Sequence, residues 1–385
     1  MTNVCRLACM IAVIAIVSSS LPMNVSGAGD YTLYVSADET KVSMISGIFS
    51  VAVTNDWPRI IFWHTDDPFS PTFEASFPRI HMFNDSDDNG VFCRSEAVGT
   101  VFFDSNHATW HLSSIIEDHT PDMGEYAMFS MSAETSVYNI SGEGPAIIEN
   151  WANVTFWFCL TENSVTYTAP TGSYIVSGKT EMRVNMTIRI TNSTSADYIA
   201  LERFLQGGGT TNSFVVTEDD FQSDEVLTLL SGWDDETLLG ANYTRPLRQT
   251  DDVVQRIMYT KADNASQAHF LWGTAALMSN GSSSYDHILG SSCYTTGAGL
   301  MLHSALLISN DTCSIEDETI IGIDESGFVG GVSDWIMEYL PAFVGLIAVA
   351  TVSVLAFYLI RKKQRIKSKT ESADNLETDE IMDRV

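Results

Sequence analysis

The chain has 385 residues, with 49 acidic against 20 basic side chains and a formal net charge of −29. A surface this acidic repels phosphate backbones and anionic headgroups, which excludes nucleic-acid binding and leaves neutral or basic proteins as partners. The length is enough for two domains, each with its own core.

The first predicted element is an apolar run from Leu7 to about Pro22 behind Arg6, ending near Ser26-Gly27-Ala28. Its charged start, short apolar middle and small-residue end predict a signal peptide over residues 1–28. At the other end, Leu340–Ile360 is a charge-free apolar run long enough to cross ~30 Å of hydrocarbon as a helix. Arg361, Lys362, Lys363, Arg365, Lys367 and Lys369 follow it, so residues 361–385 are expected on the cytoplasmic side. Residues 29–339 are then lumenal or extracellular, on a single-pass type I membrane protein of the secretory pathway and cell surface.

Between these segments the sequence predicts a β-rich ectodomain in two parts. Residues 29–170 read mainly as strands, with runs at Tyr31–Val35, Ile48–Val53, Arg59–Trp63, Thr100–Phe103 and Val154–Phe158. Asn55-Asp56, Asp66-Asp67-Pro68 and Asp87–Gly90 punctuate them as turns. Residues 171–321 are expected to be α+β. Strands at Ser173–Ser177, Met182–Ile190 and Ser213–Thr217 give way to helical spacing over Glu225–Leu230, Glu236–Leu239 and Asp251–Met278. Val253, Val254, Ile257 and Met258 form the apolar stripe of the last helix, with Asp251 and Asp252 at its start. Residues 322–339 read as a stalk.

Cys5 and Cys9 fall in the signal segment, which leaves Cys93, Cys159, Cys293 and Cys313 in an oxidising compartment. Four thiols allow three connectivities, and sequence order favours Cys93–Cys159 with Cys293–Cys313. No pair has Cys-x-x-Cys spacing, which argues against structural zinc on these cysteines. Glycosylation sequons stand at Asn84, Asn139, Asn153, Asn185, Asn192, Asn242, Asn264, Asn280 and Asn310, and none lies in the tail. Their distribution predicts a glycoprotein with those asparagines on surface turns or strand edges.

The sharpest local motif is Asp85-Ser-Asp87-Asp88-Asn89-Gly90, with Glu96 at the twelfth position. It satisfies the calcium-loop pattern, with Asp85, Asp87, Asn89 and Glu96 as oxygen ligands. The flanks read as strands rather than the helices of an EF-hand. Asp88-Asn89-Gly90 alone makes a hairpin turn, and the turn is the preferred reading. Calcium is the only cofactor the sequence suggests.

Other motifs dissolve on inspection. Ser177-Gly178-Lys179-Thr180 has the ending of a phosphate-binding loop, but its upstream glycine, Gly172, is one residue too far away. His107 and His111 stand four apart, yet no Glu follows His107. No Gly-x-Ser-x-Gly elbow occurs, and no acidic pair stands out for glycosidase chemistry. The expectation is a binding protein rather than an enzyme. In the tail, Glu377–Met382 resembles an acidic dileucine signal for a sorting adaptor. Asp383-Arg-Val385 suits a groove that captures a C-terminal carboxylate.

Two stretches carry resemblances. Asp122-Met-Gly-Glu-Tyr126 resembles the Asp-x-Gly-x-Tyr of immunoglobulin domains, with Met128 where the second cysteine stands and Trp110 between Cys93 and Cys159. An immunoglobulin-like sandwich in the first part is what that resemblance implies. Ala196–Leu205 resembles a strand of the α2 domain of MHC class I molecules, with Gly172-Ser-Tyr upstream and the predicted helices downstream. In size, sequon density and architecture the chain resembles the diverged glycoproteins by which large DNA viruses, cytomegaloviruses especially, hinder immune recognition. That resemblance implies an ectodomain that engages host immune receptors or ligands.

Overall fold

A computed structural model describes residues 33–65, 71–169, 172–208, 213–217, 225–228, 245–246, 254–260, 266–281, 283–288, 290–295, 298–309 and 311–324. The signal segment, the apolar run Leu340–Ile360 and the tail lie outside the described residues, as do Glu236–Leu239, Asn242, Asn264 and Asn310. Among the described residues no helix is long and apolar enough to cross a membrane.

The described residues are strands joined by turns, with one short 3₁₀ turn at Arg94–Glu96. In chain order the strands begin with β1 (Tyr34–Ala37), β2 (Lys41–Ser46), β3 (Phe49–Thr54), β4 (Arg59–His64), β5 (Phe73–Phe83), β6 (Ala97–Phe102), β7 (His111–Leu112) and β8 (Ile116–Thr120). Then follow β9 (Gly124–Val137), β10 (Ile148–Thr161), β11 (Val165–Ala169), β12 (Gly172–Val176), β13 (Glu181–Ile190), β14 (Tyr198–Gln206), β15 (Ser213–Thr217) and β16 (Glu225–Thr228). The last are β17 (Arg245–Pro246), β18 (Val254–Thr260), β19 (Ser266–Gly273), β20 (Ala275–Ser279), β21 (Ser284–Ile288), β22 (Gly290–Thr295), β23 (Leu300–Leu307) and β24 (Ser314–Ile323).

Two antiparallel sheets hold most of them. The first runs β1-β2-β3-β4-β5-β14-β23-β22-β17, with β6 also on β5. The second runs β16-β15-β18-β19-β24-β13-β10-β9-β7, with β8 on β9 and β20 on β24. Side chains alternate across each strand, so each sheet offers one face to a shared core. Phe77 of β5 meets Phe156 of β10 with ring centroids 5.0 Å apart, and Tyr259 of β18 donates its hydroxyl to the Glu74 carbonyl at 2.9 Å. Trp272 Nε1 donates to Ser291 Oγ at 3.1 Å. These contacts bind one sheet to the other as a sandwich.

Several expectations are corrected here. The boundary near residue 170 cuts through both sheets, because β5 pairs with β14 and β10 with β13. The described residues form one compact unit. The α+β expectation for the second part fails, and with it the MHC-like platform of helices. Glu225–Thr228 is β16, and the region expected as a helix over Asp251–Met278 contains β18, β19 and most of β20.

The cause is visible in β18. Ile257 and Tyr259 face the core, while Val254 packs on the far side against a small hairpin, β11–β12. A strand covered on both faces carries apolar residues on both, which imitates three- and four-residue spacing. The stalk expected from residue 322 also begins too early, since β24 continues to Ile323.

Candidate functional site: buried histidine–carboxylate clusters

The thirteen-residue connection between β5 and β6, residues 84–96, holds the predicted calcium loop. Asp85 accepts hydrogen bonds from the Asn89 and Gly90 amides at 3.2 and 2.7 Å. Glu96 Oε1 accepts from the Ser86 amide at 2.7 Å and its hydroxyl at 2.5 Å. Asp85, Asp87 and Glu96 bring one oxygen each within 4.8 Å of one another. Asn89 does not join them: its Oδ1 accepts from Val91 N at 2.7 Å. Asp88 and Gly90 take positive φ of 58° and 70°, so the expected turn is present as the tip of this longer connection. Partial desolvation, then a hydrogen bond shared with Asp85 and the charge of Glu96, push the Asp87 carboxyl up.

The other side of that loop seals a cluster that sequence reading did not find. Period-two alternation sends Ile80 and Met82 of β5 into the core and Arg79, His81 and Phe83 outward. On β14, Leu201 and Leu205 go inward and Glu202 outward; on β23, Leu302 and Leu306 go inward and His303 outward. The register sets Glu202 directly between Arg79 and His303. His81 Nε2 lies 2.8 Å and His303 Nε2 3.2 Å from the same oxygen, Glu202 Oε2. Arg79 Nε lies 2.7 Å from the other oxygen. His81 Nδ1 is 3.1 Å from Thr100 Oγ1 on β6.

Phe92 closes the top, stacked on His81 at 4.5 Å between centroids and 4.8 Å from His303. His81, Glu202 and His303 are thereby almost fully buried. Burial pushes the Glu202 carboxyl up. The charge of Arg79, then His81 and hydrogen bonds from both imidazoles, outweigh it and hold that carboxyl well below the usual range. His81 goes the other way from a typical ion-paired histidine: burial outweighs the pull of Glu202 and lowers its pKa.

A second cluster lies on the outer face of the other sheet. His269 of β19, Gly322 of β24 and Glu181 of β13 share one row. Glycine leaves the row open, so His269 Nε2 reaches across it to Glu181 Oε1 at 2.9 Å. A methyl group on Gly322 would stand 2.5 Å from that nitrogen. His269 Nδ1 meets Asp324 Oδ1 at 2.9 Å, and Arg256 Nη2 meets the same oxygen at 2.8 Å. Burial lowers the His269 pKa, but the hydrogen bonds and charges of Asp324 and Glu181 outweigh it and raise the value. Ser177, Gly178 and Thr180 help to line the shallow pocket beside it.

The phosphate-loop mimic Ser177–Thr180 is the turn between β12 and β13. Gly178 is needed there because any Cβ would collide with the backbone of Glu162 and Asn163. His107 and His111 are not brought together. His107 is bound to Asp104 Oδ1 at 2.8 Å and to the Gly142 carbonyl at 3.1 Å, whereas His111 is exposed on β7.

Neither expected disulfide forms, because Cys159 and Cys313 carry free thiols. Cys159 sits on the outer face of the second sheet beneath Tyr167 of the β11–β12 hairpin. Cys93 follows Phe92 on the outer face of the first sheet, so both sheets stand between Cys93 and Cys159. A bridge needs Cα atoms within about 7 Å, and packed sheets alone are ~10 Å apart. Cys293 points into the core, and Cys313 is exposed at the turn between β23 and β24. Met128, at the second-cysteine position of the immunoglobulin pattern, is the cross-strand neighbour of Cys159 within one sheet.

Of the described sequon asparagines, Asn84, Asn139, Asn153 and Asn192 are exposed, and Asn185 and Asn280 are half-buried. Asn185 donates Nδ2 to Glu318 Oε1 at 2.9 Å, beside the Arg183–Glu318 ion pair. Compared with known proteins, the chain matches no family model and no curated protein.

Proposed function

We propose that the β-sandwich is the lumenal or extracellular part of a single-pass type I membrane glycoprotein that binds a protein partner and carries out no catalysis. The observation that carries this reading is the chain's layout. A signal-like segment and a 21-residue apolar run with a basic flank enclose every retained sequon. Four of the six described sequon asparagines are exposed, as accessible glycan acceptors must be. The acidic surface favours neutral or basic protein partners.

Within this class, the resemblance to viral immunomodulatory glycoproteins supports a host immune receptor or ligand as the partner. Free Cys159 is compatible with an oxidising compartment, since burial pushes its thiol up and suppresses the reactive thiolate. Leu340–Ile360 would anchor the chain in lipid, and the tail would meet a sorting adaptor.

Expression of the full chain in mammalian cells tests the layout. Protease added to intact microsomes should remove only the tail, and glycosidase F should lower the apparent mass by many kilodaltons. Cells displaying the chain, screened against an array of receptor ectodomains, should show saturable binding to a defined partner. A chain that resists glycosidase, or that is digested whole in sealed microsomes, overturns the layout. Loss of particle assembly or of cell contact on deletion, without receptor binding, would favour a structural envelope or adhesion role.

A further inference from the structure

We propose that His81, Glu202 and His303 form a binding site for one zinc-class divalent cation that clamps the centre of the first sheet. Three strands that meet only through the fold, β5, β14 and β23, each deliver one ligand to a common point. His81 Nε2, His303 Nε2 and Glu202 Oε2 all lie within 4.8 Å of one another, and the two nitrogens crowd the same oxygen at 2.8 and 3.2 Å. Two imidazoles and one carboxylate are a donor set that zinc favours, with bonds of about 2.0–2.2 Å. Donor atoms around a tetrahedral ion at those bond lengths stand roughly 3.3 Å apart. The two nitrogen–oxygen distances therefore need to change by only tenths of an ångström to admit the ion.

The surroundings fit the same reading. Each ligand in a protein metal site is usually oriented by a second group on its other polar atom. Thr100 Oγ1 holds His81 Nδ1 at 3.1 Å, and Arg79 Nε stands 2.7 Å from Glu202 Oε1 as an ion pair. Without an ion, both Nε2 atoms must carry protons to bond one ionised carboxylate. With an ion, the Nε2 lone pairs would bind the cation and the His81 Nδ1–H would donate to Thr100 Oγ1. The Arg79 side chain is 29% exposed, so water screens its charge from the ion.

Phe92 covers both imidazoles and shuts substrates out, which makes the role structural: the ion ties three strands to the 84–96 connection. The acidic trio Asp85, Asp87 and Glu96 is separate from this site and shares none of its ligands.

The test uses the full chain, purified in detergent, loaded with zinc and dialysed against metal-free buffer. Mass-spectrometric metal analysis should find about one zinc per chain, and cobalt loading should give the visible absorption of a site whose fourth donor, beyond the three side chains, would be a water. His81→Gln and His303→Gln preserve size and should each abolish both signals while circular dichroism stays unchanged. His269→Gln, in the other cluster, should change neither signal. Thr100→Val leaves all three ligands in place and should weaken zinc binding by about 10–100-fold, the usual cost of a lost orienting group. Two outcomes would overturn the site: folded wild-type protein retaining no more zinc than the His81→Gln/His303→Gln double variant, or zinc loss caused equally by His269→Gln.

Discussion

The two buried histidine clusters use the same side-chain types and reach opposite electrostatic ends. His81 and His269 are both almost fully covered, and both bond a glutamate. Around His81 the single carboxylate is already matched by Arg79, so desolvation wins and the imidazole is held neutral. Around His269 two carboxylates, Asp324 and Glu181, each bond a ring nitrogen, so attraction outweighs burial and the imidazolium is favoured. Burial alone therefore does not set a histidine's charge; its balance against the carboxylates bonded to the ring does. His81, held toward its neutral form, suits a cation, whereas His269 is held toward its cationic form, which repels one.

Glu202→Ala gives the largest effect that would sharpen this contrast. It leaves the buried His81 and His303 imidazoles without their shared acceptor and the partly exposed Arg79 without its partner, at ~1–3 kcal/mol for each orphaned buried donor. Urea unfolding of the full chain in metal-free detergent buffer measures it. A loss below about 1 kcal/mol would mean that Glu202 does not organise the first cluster.

Gly322→Ala probes the second cluster with a smaller expected cost. The new methyl must displace His269 or Glu181, and overpacking of this kind costs ~1–3 kcal/mol. Its loss should be greatest at acidic pH, where the His269 ion pairs are fully formed.

The pH dependences should have opposite signs. His269 has a raised folded pKa, so its stabilisation is complete below its unfolded value near 6.5 and is lost as pH rises through the folded value. His81 has a depressed folded pKa, so its contribution is complete above about 6.5 and is lost as pH falls toward the folded value. Relative to wild type, His269→Gln should lose less stability at alkaline pH than at pH 5.5. His81→Gln should show the reverse in metal-free buffer. Parallel curves for the two variants would break the comparison.

The smallest expected effect belongs to the exposed carboxylates of the 84–96 connection. Asn89 is committed to Val91, so only three of the four predicted calcium ligands converge. Melting should not respond to millimolar calcium or to a calcium-selective chelator. A rise equivalent to ~2.7 kcal/mol, the value at a hundredfold excess over Kd, would instead establish a calcium site.

Much of the first half of the fold was legible. The runs Arg59–Trp63 and Val154–Phe158, and all of Ile48–Val53 but its first residue, lie in β4, β10 and β3 with the expected character, because each has β-branched or aromatic residues between clear turn signals. The second half misled because β18 and β19 are covered on both faces, which erases period-two alternation. The cysteine pairing failed because sequence order says nothing about which face of which sheet a side chain takes.

The histidine clusters left only a faint trace: a polar residue interrupting an apolar strand, as in Ile80-His81-Met82 and Leu302-His303-Ser304. His81 and Glu202 are 121 positions apart, and only sheet register brings them together. The calcium motif shows the converse. Its spacing was perfect on paper, yet Asn89 spends its oxygen on a turn.

The balance between burial and the bonded carboxylates decides which charge each histidine favours. Imidazole titration by NMR on the metal-free full chain, with histidine-selective labelling and assignment through His81→Gln and His269→Gln, tests it directly. The account predicts that His269 titrates above about 6.5 and His81 below it. His81 titrating above His269, or both at one value, would contradict it.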